Sequence, residues 1–162
     1  MAADLENTLY LEVPAGRVVI EMRTDLAPMH CAQIKELVRK GFYDGIVFHR
    51  VIEGFMVQTG CPRGNGTGGS GKHLKAEFSK EKHLRGVCSM ARAQDPNSAD
   101  SQFFIMLDNT PSLDGQYSIW GKVTSGMEYI DAIKKGSPSR NGSVTDPDKI
   151  ISFKVAADVA AA

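Results

Sequence analysis

The chain has 162 residues, 42% of them hydrophobic, and its 19 basic side chains balance 19 acidic ones. That is enough apolar material for one compact domain, read over 1–162 with no repeat or linker. The balanced charge excludes a broad electrostatic attraction to nucleic acid or an anionic membrane, and no apolar run approaches the roughly 20 residues that span a bilayer.

The N-terminus, MAADLENTLYLEV, lacks a basic segment followed by an apolar one, so no secretory signal is read there. Cys31, Cys61 and Cys88 are odd in number and form no CxxC, which fits a reducing cytoplasm better than a disulfide framework.

Thr8–Val13 and Arg17–Met22 are β-rich runs around Pro14-Ala15-Gly16 and predict a hairpin. A helix follows, with Thr24 or Asp25 as N-cap and Pro28 in its first turn. Ile34, Leu37 and Val38 form its apolar stripe, Arg39 and Lys40 complement its C-terminal dipole, and Gly41 supplies the C′ residue. Strand-like runs return at Val47–Ile52 and Phe55–Thr59, and Gly64 to Gly71 reads as a loop. Further strands are predicted at Val87–Ala91, Phe103–Leu107 and Ile119–Val123.

Ser125-Gly126-Met127-Glu128 has a capping-box pattern and predicts a second helix ending before Gly136. Ser137–Asp148 reads as a loop, Ile150–Val155 as a last strand, and the Ala-rich end as frayed. Strands without regular intervening helices predict an antiparallel barrel or sandwich carrying two helices.

Several motifs invite chemistry. Gly64-Asn65-Gly66-Thr67-Gly68-Gly69 matches GxGxxG, but it leads into Ser70-Gly71-Lys72-His73 and does not open a helix onto a pyrophosphate. Gly66 to Lys72 approaches a Walker A loop, with His73 where a hydroxyl should meet magnesium. No cysteine has an activating context for a thiol nucleophile, so each reads as a small buried hydrophobe. His30, His49, His73 and His83 show no metal-ligand spacing and read as structural or solvent-facing. No metal or cofactor is expected.

The stretch from Phe48 to Gln58 is different. It sets Arg50 within a strongly apolar run, where a charge needs a reason. Alternation places Phe48, Arg50 and Ile52 on one face, and Met56 with Gln58 on one face of the next run. A sheet-edge arginine or an internal salt bridge competes evenly with a functional role.

Phe48-His49-Arg50-Val51-Ile52, Gly54-Phe55-Met56-Val57-Gln58 and Ser101-Gln102-Phe103-Phe104-Ile105 closely resemble the signature of cyclophilins. Ala27-Pro28, Gly41-Phe42-Tyr43-Asp44-Gly45, the Gly64–Gly71 loop, Ser89-Met90-Ala91 and Leu113-Asp114-Gly115 extend the likeness in order from Thr8 to Val155. The resemblance implies one isomerase domain, mainly β: an eight-stranded antiparallel β-barrel closed by two α-helices. It implies peptidyl-prolyl cis–trans isomerase activity that assists protein folding, on proline-containing peptides and on unfolded or flexible segments. A non-catalytic proline-peptide binding module is the alternative, and Arg50 with Gln102 favours the enzyme.

Carried over by position, Arg50, Gln58 and Phe55 are the implied catalytic residues. Met56, Ala91, Arg92, Gln102, Phe104, Leu113 and Tyr117 are the implied substrate-binding residues. Ser112 stands where cyclosporin-sensitive members carry tryptophan, Tyr117 where they carry the groove histidine, and Arg92 where many carry asparagine. The pattern is closer to bacterial members and implies weak cyclosporin binding, with Trp120 a core residue. A monomer is expected.

Overall fold

The computed structural model describes residues 5–160. Eight strands make one antiparallel sheet: β1 (Thr8–Val13), β2 (Gly16–Met22), β3 (Arg50–Ile52), β4 (Met56–Thr59), β5 (Val87–Met90), β6 (Phe103–Met106), β7 (Ile119–Ser125) and β8 (Ser152–Val155). Their lateral order is β3-β4-β6-β5-β7-β2-β1-β8. The ladder ends at β3 and β8, so the sheet is a curled half-barrel. The segments leading into these two edge strands are tied by Phe48 N–H on Asp148 O (2.9 Å) and Ile150 N–H on Ile46 O (2.8 Å).

Alternation along these strands builds the inner core. Leu9, Leu11, Ile20, Val57, Ile105 and Phe153 point inward. Phe103 lies at its centre, edge-on to Trp120 (5.3 Å) and to Tyr43 (5.5 Å). As expected, Trp120 is wholly buried on a strand. Phe48 also enters this core, whereas Arg50 does not. The expected shared face of Phe48 and Arg50 is therefore wrong: only Val47 makes a bridge before the ladder starts at Arg50, and irregular backbone breaks the alternation.

Helix α1 (Pro28–Arg39) buries His30, Cys31, Gln33, Ile34, Leu37 and Val38 and leans on β7 and β8. Pro28 occupies its first turn. Neither Thr24 nor Asp25 caps it; Ala27 is the N-cap and offers no side chain. The cap comes from afar, since the Glu77 carboxylate accepts from the Met29 N–H (3.2 Å) and the His30 N–H (2.8 Å). At the other end Gly41, at φ +72°, sits at C′. Gly41 N–H bonds Val38 O and Phe42 N–H bonds Leu37 O, which is a Schellman closure.

Helix α2 (Met127–Asp131) is shorter than expected, and no capping box forms. Ser125 ends β7, and Gly126 takes the N-cap position at φ +85°. A Cβ there would sit 2.4 Å from Arg17 O, so the turn needs glycine. Within the Ala-rich end, Ala156–Ala160 form a short helix, α3; Ala161 and Ala162, where fraying was also expected, lie outside the described residues. Among the described residues no helix is long and apolar enough to cross a membrane.

Candidate active site

The outer face of β3 to β7 carries a second apolar cluster. Met56, Val87, Phe104, Met106 and Ile119 are buried in it, with Ile52, Phe55, Leu113 and Tyr117 packed against them. β5 and β6 are buried at every position because both of their faces are covered. A cavity of about 130 Å³ opens in this cluster. Phe55, Met56, Phe104, Leu113 and Tyr117 form its apolar walls, and Arg50, Gln58, Ala91 and Arg92 complete the lining. The Phe104 and Tyr117 rings meet edge-on at 5.5 Å.

Nine of the ten residues expected at the site thus surround one cavity. Gln102 lines an adjoining cleft of about 480 Å³ under the glycine-rich loop, which shares Gln58, Ala91 and Arg92 with the cavity. That larger cleft is wide enough for an extended peptide; the smaller cavity is the one shaped for a compact ring.

Arg50 is held by a chain of hydrogen bonds. Its Nε donates to Asn141 O (3.0 Å), one terminal nitrogen to Asn141 Oδ1 (3.1 Å) and the other to Gln58 Oε1 (3.1 Å). Gln58 Nε2 donates to Gln102 Oε1 (3.1 Å), and Gln102 Nε2 to Gly66 O and Gly68 O (both 2.9 Å). These acceptors are neutral oxygens, so the positive charge is oriented but not cancelled. Arg50 stands on an edge strand, as the simpler reading had it, and no salt bridge among the described residues takes it. Beside it, burial first and the Arg50 charge second hold the His49 ring below the ordinary histidine value.

Asn141 was missed in the sequence, inside a segment read only as loop. Asn141 (φ +57°) and Gly142 (φ +80°) are the central residues of a turn closed by Ser143 N–H on Arg140 O (3.1 Å). Two left-handed residues in succession make a type I′ turn, and the Asn-Gly dipeptide is its sequence signal. The turn points the Asn141 side chain and carbonyl at the guanidinium.

Arg92 also braces the groove. Its guanidinium donates to Gln116 O from Nε (3.1 Å) and a terminal nitrogen (2.9 Å), and to Ala93 O (2.9 Å), and lies 4.9 Å from the Tyr117 ring. It ties the Ala91–Ala93 segment to the turn carrying Leu113 and Tyr117, so its side chain shapes the groove.

The glycine-rich loop has no free cradle for phosphate. Asp100 takes the Ser70 N–H (2.8 Å) and Gly71 N–H (2.9 Å), and Cys61 Sγ takes the Gly68 N–H (3.2 Å). Among the described residues no group of His, Cys, Asp and Glu could hold a metal ion. All three cysteines are buried; burial pushes the Cys31 thiol up to about 12 and Cys88 higher still, and neither reaches the groove.

Comparison with known proteins agrees with this geometry. Residues 8–155 match the family described as "Cyclophilin type peptidyl-prolyl cis-trans isomerase/CLD". A probable peptidyl-prolyl cis-trans isomerase of Brucella suis is 56% identical, over 97% of this chain and 86% of its own. Peptidyl-prolyl cis-trans isomerase B of Bacillus subtilis is 40% identical, over 82% of this chain and 93% of its own. The crystal structure of a cyclophilin from Hirschia baltica superposes with a TM-score of 0.87 at 28% identity, covering 98% of this chain and 77% of that one. A Cryptosporidium parvum cyclophilin-type isomerase, crystallised in the presence of the dipeptide Ala-Pro, superposes with a TM-score of 0.83 at 29% identity, covering 91% and 98%.

Proposed function

The chain belongs to the cyclophilin family and is a peptidyl-prolyl cis–trans isomerase, and we propose that the 130 Å³ cavity beside Arg50 is where it turns the X-Pro bond. The observation that carries this reading is a guanidinium, oriented by Asn141 and Gln58, at the rim of an apolar cavity.

Resonance in the C–N bond sets a barrier of about 18–20 kcal/mol, and the uncatalysed rotation takes tens to hundreds of seconds. No bond breaks, so no nucleophile or general base is needed. At the twisted state the prolyl nitrogen regains a lone pair and becomes an acceptor. Phe55, Met56, Phe104 and Leu113 hold the ring of the proline while Arg50 donates toward that nitrogen and the proline carbonyl. Gln58, Gln102 and the Ala91–Arg92 backbone hold the flanking peptide in the adjoining cleft. Raising a rate of about 0.01 per second to about 10 per second needs about 4 kcal/mol of selective stabilisation. One charge-assisted bond beside the apolar walls, with positioning, covers that.

The substrates on this reading are flexible, proline-containing segments of other chains, and the purpose is assistance in folding. We place the protein as a monomer in the cytoplasm, a reducing compartment that suits three buried, unpaired cysteines. Ser112 is exposed and offers no indole to cover a cyclic peptide, so weak cyclosporin inhibition is expected; tight inhibition of the wild type overturns that part.

The test is isomerisation of a short X-Pro peptide, followed by NMR exchange, for wild type beside Arg50→Ala. The expected result is a loss of about 10²–10³ in kcat/KM with the fold intact. A wild type that binds the peptide without speeding rotation would make the domain a binding module and Arg50 a structural arginine.

A further inference from the structure

Behind the cavity runs a buried polar chain that the reaction as derived does not use. His83 is 1% exposed and precedes β5. Its backbone N–H (2.7 Å) and its Nδ1 (3.2 Å) both face Asp114 Oδ1. Its Nε2 lies 3.0 Å from Ser89 Oγ, which lies 3.1 Å from Ser118 O. Aspartate, histidine and serine in this order match a hydrolytic triad, but Ser89 is wholly buried and no substrate carbonyl can reach it.

What the chain touches is the groove wall. The His83 ring stacks on Phe104 (6.2 Å, 19°) and meets Tyr117 edge-on (6.2 Å, 77°). Ser89 pairs with Phe104 across the β5–β6 ladder, and Asp114 follows Leu113 on the turn that carries Tyr117. Phe104, Leu113 and Tyr117 are thus all referenced to one imidazole. We propose that His83, clamped between Asp114 and Ser89, is a positioning residue for the isomerase, and that its protonation shifts these three walls and slows turnover. The proposal rests on the assignment of the cavity as the prolyl site.

The hydrogen bonds allow two complete states. With a neutral ring, Nδ1–H donates to the Asp114 carboxylate and Nε2 accepts the Ser89 hydroxyl proton. Ser118 O then keeps its bond from Met90 N–H (3.0 Å). With a charged ring both nitrogens donate, and the Ser89 hydroxyl swings its proton onto Ser118 O. The states differ by one buried hydroxyl rotation and by a full charge against the face of Phe104.

The charges around the ring are few. Asp114 faces it from the 113–117 turn, Lys82 lies beside Asp114, and Arg92 lies beyond Tyr117. β5 and β6 present Ser89 and Phe104 to it. Burial is the largest influence and holds His83 below the ordinary histidine value, opposed in part by Asp114. The folded form therefore binds its proton less readily than the unfolded chain. Its contribution to stability is full above the unfolded value of about 6.5 and declines as pH falls toward the lower folded one.

The experiment measures kcat and KM for an X-Pro peptide between about pH 5 and pH 8. Wild type, His83→Gln and Asp114→Asn are compared, with the histidine and Phe104 ring signals followed by NMR. Wild type should lose kcat on the acid side as the His83 signal titrates and the Phe104 ring shifts with it. His83→Gln should lower kcat about tenfold near neutrality, change KM less than about threefold, and abolish that inflection. Asp114→Asn should move the inflection further toward acid, since the carboxylate favouring the imidazolium is gone. Wild-type kcat with an unchanged inflection in His83→Gln overturns the proposal. If that variant does not fold, an inflection unmoved in Asp114→Asn overturns it equally. Full wild-type activity in Arg50→Ala would instead be the failure of the prolyl-site assignment.

Discussion

Phe103 and Phe104 are neighbours on β6, both buried, and they belong to different parts of the molecule. Phe103 points inward among Tyr43, Trp120 and Phe153, in a core that touches nearly every strand. Phe104 points outward into the smaller cluster, against His83 and Tyr117, and borders an open cavity. The backbone between them is shared, so the pleat alone separates a residue that holds the fold from one that meets the substrate. A strand buried at all four positions is needed for this, and it explains why an antiparallel sheet here lacks the polar outer face such sheets commonly have.

Truncating the two rings should pull these roles apart, and it is the largest effect expected. Phe103→Ala leaves a cavity that the packed interior cannot fill, costing about 3–5 kcal/mol of stability. Phe104→Ala opens onto space that water already reaches, so its stability cost should be smaller while kcat/KM falls more than tenfold. Denaturant melts set beside peptide turnover check both. Equal losses of stability with equal residual activities would erase the distinction between the faces.

Glu77 lies outside both clusters and sharpens the comparison from the end of the barrel. Its carboxylate caps α1 and faces the buried ring of His30. Glu77→Ala strands those donors, at about 1–3 kcal/mol, and should leave kcat/KM unchanged because nothing in the groove contacts the carboxylate. A melt and a turnover measurement decide it; an activity loss larger than the shift in melting would tie α1 to the site.

The same pair of faces explains what could be read in the sequence. The groove was legible through the resemblance to cyclophilins, carried by short, ordered motifs: Met56 with Gln58 keeps period two on β4, whereas Phe55, Ala91, Arg92, Leu113 and Tyr117 lie off the strands and were reached only by that resemblance. Legibility failed where partners are distant or the backbone is irregular. Thr24 and Asp25 have the chemistry of a cap, but the helix is capped by Glu77, 47 positions from His30. Ser125 has the spacing of a capping box, but pairing with Val19 keeps it in β7. Phe48 breaks alternation because the ladder starts only at Arg50. Asp114 and His83 meet across 31 positions, a distance no local pattern spans.

Asn141 offers the smallest and most specific test of the outer face. It supports Arg50 in two ways: the turn's left-handed backbone aims its carbonyl at Nε, and its side-chain Oδ1 accepts from a terminal nitrogen. Asn141→Gly keeps the positive φ and the carbonyl and removes the side chain with its Oδ1 acceptor. Losing one such bond at an exposed site is worth about 0.5–1.5 kcal/mol, so kcat/KM should fall about two- to tenfold with the melting temperature nearly unchanged. Asn141→Ala removes the same acceptor and adds left-handed strain of about 1–2 kcal/mol, so stability should drop as well. If both variants keep full activity, Gln58 alone orients the guanidinium, and the outer face depends on the sheet and not on this turn. If glycine preserves activity and alanine loses it, the backbone carbonyl is the part of Asn141 that aims Arg50.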